Sequence, residues 1–328
     1  MKVNSKNTLR KLSVWALISM ATPATALAQS YPNKPIRVVS QFASGASGDY
    51  LNRLVVTKLS ELVGQAVVVE NNAGAGGSVA TVAVARATPD GYTLLNASTG
   101  ATIVRPALGA KLGYDPIKDL MPITMLGESP SAIIVSPSLP VKTLVEFIEY
   151  AKANPGKIFY GTTGIASQSH LAGEQLQQIT GASMVHVPYK AGAQAVLDMA
   201  SGRLSALITI LTPLVPQAKA GKMNVLAILG RRTDLMPDVP SVSERIPAFE
   251  APPSWQGYWA PAGTPQAVMV RLQSEIVKSM HSPDTRAKIL ETGTEIVAPS
   301  SADMAAMIRR QTELVAKIAK AANIKDLE

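Results

Sequence analysis

The sequence predicts an α/β protein of two domains, each a mainly parallel sheet flanked by helices. Three observations carry that expectation. From Tyr31 onward, short β-branched runs alternate with helical patterns, an order that gives parallel strands joined by crossover helices. The chain has 328 residues, which suggests about two domains at roughly 100 to 200 residues each. The same series of strand, Gly/Ser/Thr loop and helix start also occurs once in each half of the chain.

The start of the chain differs from the rest. Lys2, Lys6, Arg10 and Lys11 precede an apolar centre from Leu12 to Met20, and Ala26-Leu27-Ala28 has the small-x-small form of a cleavage site. Residues 1–28 therefore read as a secretory signal peptide, not a membrane span. The expected product is soluble, exported to the periplasm and cut near Ala28. The formal net charge is +8; the four cations of the signal supply half of it and leave +4. The remaining basic residues are scattered, with no aromatic-interleaved stripe, which argues against nucleic acid as a partner. There is no cysteine, so disulfides, thiolate metal sites and cysteine nucleophiles are excluded.

The organising stretch is Gln41-Phe42-Ala43-Ser44-Gly45-Ala46-Ser47-Gly48-Asp49, between a strand at Ile36 to Ser40 and a helix from Asp49 to Val63. Its glycines let the backbone turn and approach a ligand, and the first turn of the helix offers free N–H groups to an anion or carboxylate. Ser47 or Asp49 acting as an ordinary helix cap is the competing reading. Next come a strand at Ala66 to Glu70, a helix at Gly77 to Ala87 and a strand at Tyr92 to Asn96, which places Ser98 and Thr99 at a strand's carboxyl end. The glycines of Asn71 to Ser78 do not complete a dinucleotide fingerprint, because its third glycine position holds Val79.

Strands at Ile123 to Leu126 and Ala132 to Val135 lie on either side of a boundary near Glu128 to Ser131. After a helix at Pro140 to Ala153, the strand Ile158 to Tyr160 leads into the loop Gly161-Thr162-Thr163-Gly164-Ile165-Ala166-Ser167-Gln168-Ser169-His170 and a helix through Leu176. This repeats the opening logic, and the two loops could face each other across a cleft. A strand at Met184 to Val187 runs into Tyr189-Lys190, then a helix at Ala193 to Ala200 and strands at Leu204 to Ile210 and Val225 to Leu229. Five prolines between Pro237 and Pro253 mark a return segment to the first domain. A strand at Trp255 to Trp259 and helices at Thr264 to Met280, Pro283 to Thr292 and Ser301 to Ala322 complete the chain. The domains are then expected as 29–128 plus 251–328, and 129–250.

No catalytic signature emerges. There is no G-x-S-x-G elbow, and the histidines show no metal-ligand spacing. A serine hydrolase using His170 remains an alternative, as does a sensing receptor without a transporter. No cofactor is expected, and a monomer is.

Taken together, the motifs resemble the Bug or TctC family, the periplasmic solute-binding receptors of tripartite tricarboxylate transporters. The matching segments include Tyr31-Pro32-x-Lys34-Pro35-Ile36-Arg37, Phe42-Ala43-x-Gly45 with Asp49, Pro89-Asp90-Gly91-Tyr92-Thr93-Leu94-Leu95, His170-Leu171-Ala172-Gly173-Glu174, Val187-Pro188-Tyr189-Lys190 and Ala260-Pro261-Ala262-Gly263-Thr264-Pro265. The resemblance implies a type II periplasmic-binding-protein fold, two domains closing over a small carboxylate. It implies a membrane transporter of the tripartite tricarboxylate type as partner and no enzymatic activity. The ligand would be held by the loop Phe42 to Asp49, the loop Gly161 to His170 and the turn at Tyr189-Lys190. Ser44 and Ala46 stand where the family has proline and glycine, Ala191 replaces a glycine, and Thr209 stands where an acid is common. The last change implies weaker preference for ligands bearing an amino group.

Overall fold

The structure is a computed structural model that describes residues 31–189 and 192–325. The signal segment 1–28 and Lys190 lie outside the described residues.

The chain opens with β1 (Ile36–Ser40), α1 (Ser47–Val63), β2 (Val67–Asn71), α2 (Ser78–Ala85) and β3 (Thr93–Ser98). A π-helical turn at Gly100–Val104 runs into the short α3 (Arg105–Ala107), and β4 (Leu120–Glu128) follows. The middle third holds β5 (Ser131–Val135), α4 (Leu144–Ala153), β6 (Ile158–Thr162), α5 (Gln168–Thr180), β7 (Met184–Pro188), α6 (Gly192–Ala200), β8 (Ala206–Ile210), α7 (Val215–Lys219) and β9 (Asn224–Ile228). The chain then returns through α8 (Val242–Arg245) to β10 (Trp255–Pro261), α9 (Gln266–His281), α10 (Pro283–Glu291), β11 (Glu295–Ile296) and α11 (Ser301–Ala321).

Two sheets result. One has the order β11-β4-β10-β3-β1-β2, the other β7-β6-β8-β5-β9. The βαβ units are parallel as expected: β1 pairs with β2 and β3, and β6 with β7 and β8. Both sheets are nonetheless mixed, because β10 runs antiparallel to β3 and β4, and β5 antiparallel to β8 and β9. These are the first strands after each crossing between sheets, and neither arrives through the crossover helix that a parallel neighbour requires. α7 was not foreseen. Pro216 lies in its first turn and Pro213 in the 3-10 turn just before it, both at helix starts, where a missing N–H costs nothing.

Each sheet carries apolar clusters on its faces. In the first lobe Val38, Val55, Leu59, Leu94 and Ile276 form one cluster; Val39, Leu95, Trp255, Trp259 and Val315 form another. In the second lobe Ile133, Phe147, Tyr160, Leu176 and Ile208 pack together. Leu171 of α5 joins the Trp255–Trp259 cluster of the first lobe. That helix is thus anchored in both cores, which fixes where its first turn lies.

Candidate functional site

Between the lobes lies a cleft of about 870 Å³. The start of α1 forms one wall, with Ser47 and Gly48, and the start of α5 forms another, with Ser167 and Gln168. Ser98, Thr99 and Gly100 at the carboxyl end of β3 complete the polar floor, together with Gln256 of β10.

The loop before α1 owes its shape to Asp49. Its carboxylate accepts hydrogen bonds from the Gly45 amide at 2.9 Å, Arg53 Nε at 2.8 Å and Asn71 Nδ2 at 2.7 Å. Asn71 Nδ2 also donates to the Phe42 carbonyl at 2.9 Å, closing the loop onto β2. Burial pushes the Asp49 carboxyl up, but the hydrogen bonds from Arg53, Asn71 and Gly45 outweigh it and hold the group below the ordinary carboxylate range. Asp49 therefore supports the loop from behind and does not line the cleft. The cap position of α1 is Ala46, which has no side-chain acceptor. Neither Ser47 nor Asp49 caps the helix. Phe42 lies against Gly48, where an added Cβ would stand 2.5 Å from two ring carbons; the ring is thereby held in the cleft wall.

The second loop is braced in the same way. Ser167 caps α5, its Oγ accepting from the His170 amide at 3.2 Å and donating to the Gly164 carbonyl at 2.7 Å. The Ala166 amide donates to His170 Nδ1 at 3.1 Å, and Thr163 Oγ1 lies 3.2 Å from Ser169 Oγ. The rings of His170 and His186 stack at 3.8 Å, with Thr162 Oγ1 2.6 Å from His186 Nε2. Burial, reinforced for His170 by His186, pushes both imidazoles down to about 4, so both are neutral near pH 7. His170 Nε2 approaches Glu174 at 3.7 Å, and Tyr160 OH donates to the same carboxylate at 2.7 Å. The His170 ring thus meets a backbone amide, a carboxylate and another imidazole rather than a serine hydroxyl, which is not a nucleophile–base arrangement.

Of the residues expected from the sequence, Phe42, Ser47, Ser98, Thr99 and Ser167 line the cleft. Ala43, Ser44 and Gly45 are exposed on the first loop but outside the cleft lining. Gly161, Thr162 and His170 are buried and Thr163 is exposed on the second loop, and none of the four lines the cleft. Tyr189 is directed to Asp198, its OH donating at 2.7 Å, while Arg203 binds the other oxygen of that carboxylate. Thr209 pairs across from Ala132 and stays out of the cleft, whereas its neighbour Ile210 enters it, as strand alternation requires.

The sequence reading missed the wall residues Tyr50, Thr212, Trp255 and Gln256, and did not single out Ile165 and Gln168 within the loop Gly161 to His170 that it expected to hold the ligand. Tyr50, Ile165 and Ile210 are large apolar side chains that remain more than 40% exposed, and such exposure in a concave wall marks a binding surface. The residue types alone carried no signal for these positions. The crossing near 252–256 could have been suspected, since every chain that returns to its first sheet must pass the cleft. Among the described lining residues the charged groups are Arg105 and Lys325, with no carboxylate. Arg105 Nη1 donates to the Ala75 carbonyl at 2.6 Å and to Ser78 Oγ at 3.4 Å. Among the described residues the cleft lining is thus acid-free, and two helix starts with several hydroxyls face it. Among the described residues, no group of three or more His, Cys, Asp or Glu could hold a metal ion.

Comparison with known proteins agrees with this geometry. Residues 51–324 match the model of the tripartite tricarboxylate transporter family receptor. A UPF0065 protein of Bordetella bronchiseptica is 38% identical over 94% of this chain and 91% of its own. Among solved structures, an R. palustris protein determined with adipate is 31% identical, with a TM-score of 0.70 over 90% of this chain and 100% of that one. The periplasmic binding protein BugD is 30% identical, with a TM-score of 0.68 over 90% of this chain and 99% of its own. The two-lobed α/β architecture is accordingly that of a periplasmic binding protein, and this chain belongs to the family of tripartite tricarboxylate transporter receptors.

Proposed function

We propose that the protein is an exported solute receptor that captures a small carboxylate between its two lobes and delivers it to a tripartite tricarboxylate-type membrane transporter. The observation that carries this reading is a cleft with no carboxylate among its described lining residues, walled by the uncapped start of α1 and the start of α5. Helix starts and hydroxyls make charge-assisted hydrogen bonds to a carboxylate without a dedicated arginine clamp. Family membership and the adipate-bound relative support the same ligand class. The ligand-holding residues in this reading are Phe42, Ser47, Ser98, Thr99, Ser167, Gln168 and Gln256.

The protein acts as a monomer without cofactor and catalyses nothing. It is made with a signal peptide over residues 1–28 and works in the periplasm. Residues 29–128 with 251–328 form one domain and 129–250 the other, so the hinge runs through the two crossings. Among the described residues no helix is long and apolar enough to cross a membrane.

The test is a thermal-shift panel of dicarboxylates, tricarboxylates, aromatic acids, acidic amino acids and neutral sugars. A ligand that binds only the folded state raises its stability by RT ln(1 + [L]/Kd). Carboxylates are expected to raise Tm and sugars to leave it unchanged. Aspartate and glutamate should bind more weakly than plain dicarboxylates, because no carboxylate lines the described cleft to meet an ammonium group. A panel in which no acid shifts Tm would refute the reading.

A further inference from the structure

Three large apolar side chains line the cleft with much of their surface uncovered. Tyr50, Ile165 and Ile210 are 46%, 48% and 41% exposed. Tyr50 comes from the first lobe, Ile165 and Ile210 from the second. Tyr50 stands three residues after Ser47 on α1, so the two share the helix face that borders the cleft. Ile165 stands two residues before Ser167, the cap of α5, and Ile210 is the last residue of β8. Each helix start that offers N–H groups to an acid therefore has an apolar side chain within about one turn of it.

These side chains do not serve the cores. α1 gives Val55 and Leu59 to the first lobe, and α5 gives Leu171 and Leu176 to the two lobes. Among the described residues, Tyr50, Ile165 and Ile210 belong to none of the buried apolar clusters. Apolar surface facing water in a concave wall is covered to advantage only by another apolar group. A hydroxyl or a second carboxylate set against an isoleucine or the face of a tyrosine ring would lose its water and gain no partner.

We propose that Tyr50, Ile165 and Ile210 determine the specificity of the cleft, and that the ligand is a carboxylic acid with a ring-sized apolar body, aromatic or alicyclic, beside its recognised carboxylate. This rests on the carboxylate reading above. The carboxylate meets the helix starts, and the ring lies between Tyr50 of one lobe and Ile165 and Ile210 of the other. Closure of the lobes then withdraws all three side chains from water. A short polar acid leaves them uncovered.

The experiment is calorimetric titration of the purified chain with benzoate and cyclohexanecarboxylate, beside succinate and malate, over a range of temperatures. At least one ring acid is expected to bind about tenfold tighter than either polar diacid or better, since even one methylene in an apolar pocket is worth about tenfold. Its heat-capacity change should be negative, the mark of apolar burial. Tyr50→Ser combined with Ile165→Ser should cut the ratio of ring-acid to diacid affinity by about tenfold and make that heat-capacity change smaller; Ile210→Thr should move both readouts the same way. A diacid that binds as tightly as both ring acids overturns the assignment. So does a variant that weakens every acid equally, as it would if these side chains only touched one another across the closed lobes. Either result leaves the carboxylate reading intact, whereas no binding by any of the acids overturns both.

Discussion

Asp49 carries three hydrogen bonds on one buried carboxylate, and they join the cleft loop, α1 and β2. Its replacement should therefore harm the fold and the site together. Asp49→Ala leaves the Gly45 amide and Asn71 without their acceptor, and is expected to destabilise the protein by about 2 kcal/mol; urea denaturation measures this directly. The stacked histidines make a second residue-level prediction. Burial lowers both rings to about 4 in the folded protein, while in the unfolded chain they titrate near 6.5. The unfolded state then binds more protons between about pH 4 and 6.5, so their contribution is complete above 6.5 and is lost as pH falls through that window. Thermal unfolding at pH 7.5, 6 and 5 should show a falling Tm, with a shallower fall in a His170→Asn, His186→Asn double variant. Identical slopes for parent and variant would contradict the assignment. At this scale the sequence was least informative. Asp49, His170 and Tyr189 have side chains that suit a ligand, and nothing in their residue types announces the partners they meet in the fold: Gly45, Arg53 and Asn71 for Asp49, Ala166 and His186 for His170, and Asp198 for Tyr189.

Helix starts are the working parts at the scale of elements. α1 begins at an alanine with no side-chain cap and α5 at a capping serine, yet both point their first turns into the cleft because β1 and β6 deliver the chain there. Gly48 sits at the tightest point of the first start. Gly48→Ala places a methyl 2.5 Å from the Phe42 ring, which must swing out of the cleft wall. The expected result is a loss of about 1–3 kcal/mol in stability from overpacking and a weaker Kd for carboxylates. Unchanged affinity in calorimetry would show that the Phe42 ring takes no part in binding. Elements were the most legible level of the sequence. β1 is bounded as expected, and α1, β5, β6, α6, α9 and α11 lie within a few residues of their expected spans, since hydrophobic periodicity and glycine stops record local structure. α7 and the π-helical turn at Gly100–Val104 were not legible, because proline at a helix start and a widened turn leave no periodic trace.

For the whole molecule, the essential fact is that two sheets share one cleft and one long helix is anchored in both cores. The crossings at 128–131 and 246–255 are where relative motion of the lobes would be absorbed. Gln168 Nε2 donates to the Pro252 carbonyl at 3.0 Å, and Arg310 binds Glu250 at 2.8 Å; both bonds tie a lobe to the second crossing. Alternation of strands and helices announced two α/β lobes, and the repeated strand–loop–helix logic announced two facing loops. The antiparallel β5 and β10, and with them Trp255 and Gln256 in the cleft wall, depended on the order in which the sheets exchange the chain. That order is a long-range property without a local signature. The central claim is that an ionised acid occupies this cleft. Calorimetric titration of the purified chain with the acid that raises Tm most, and with its neutral amide, tests it most directly. The account predicts saturation at one acid per chain, with the amide about a hundredfold weaker or worse. An amide that binds as tightly as the acid would contradict it.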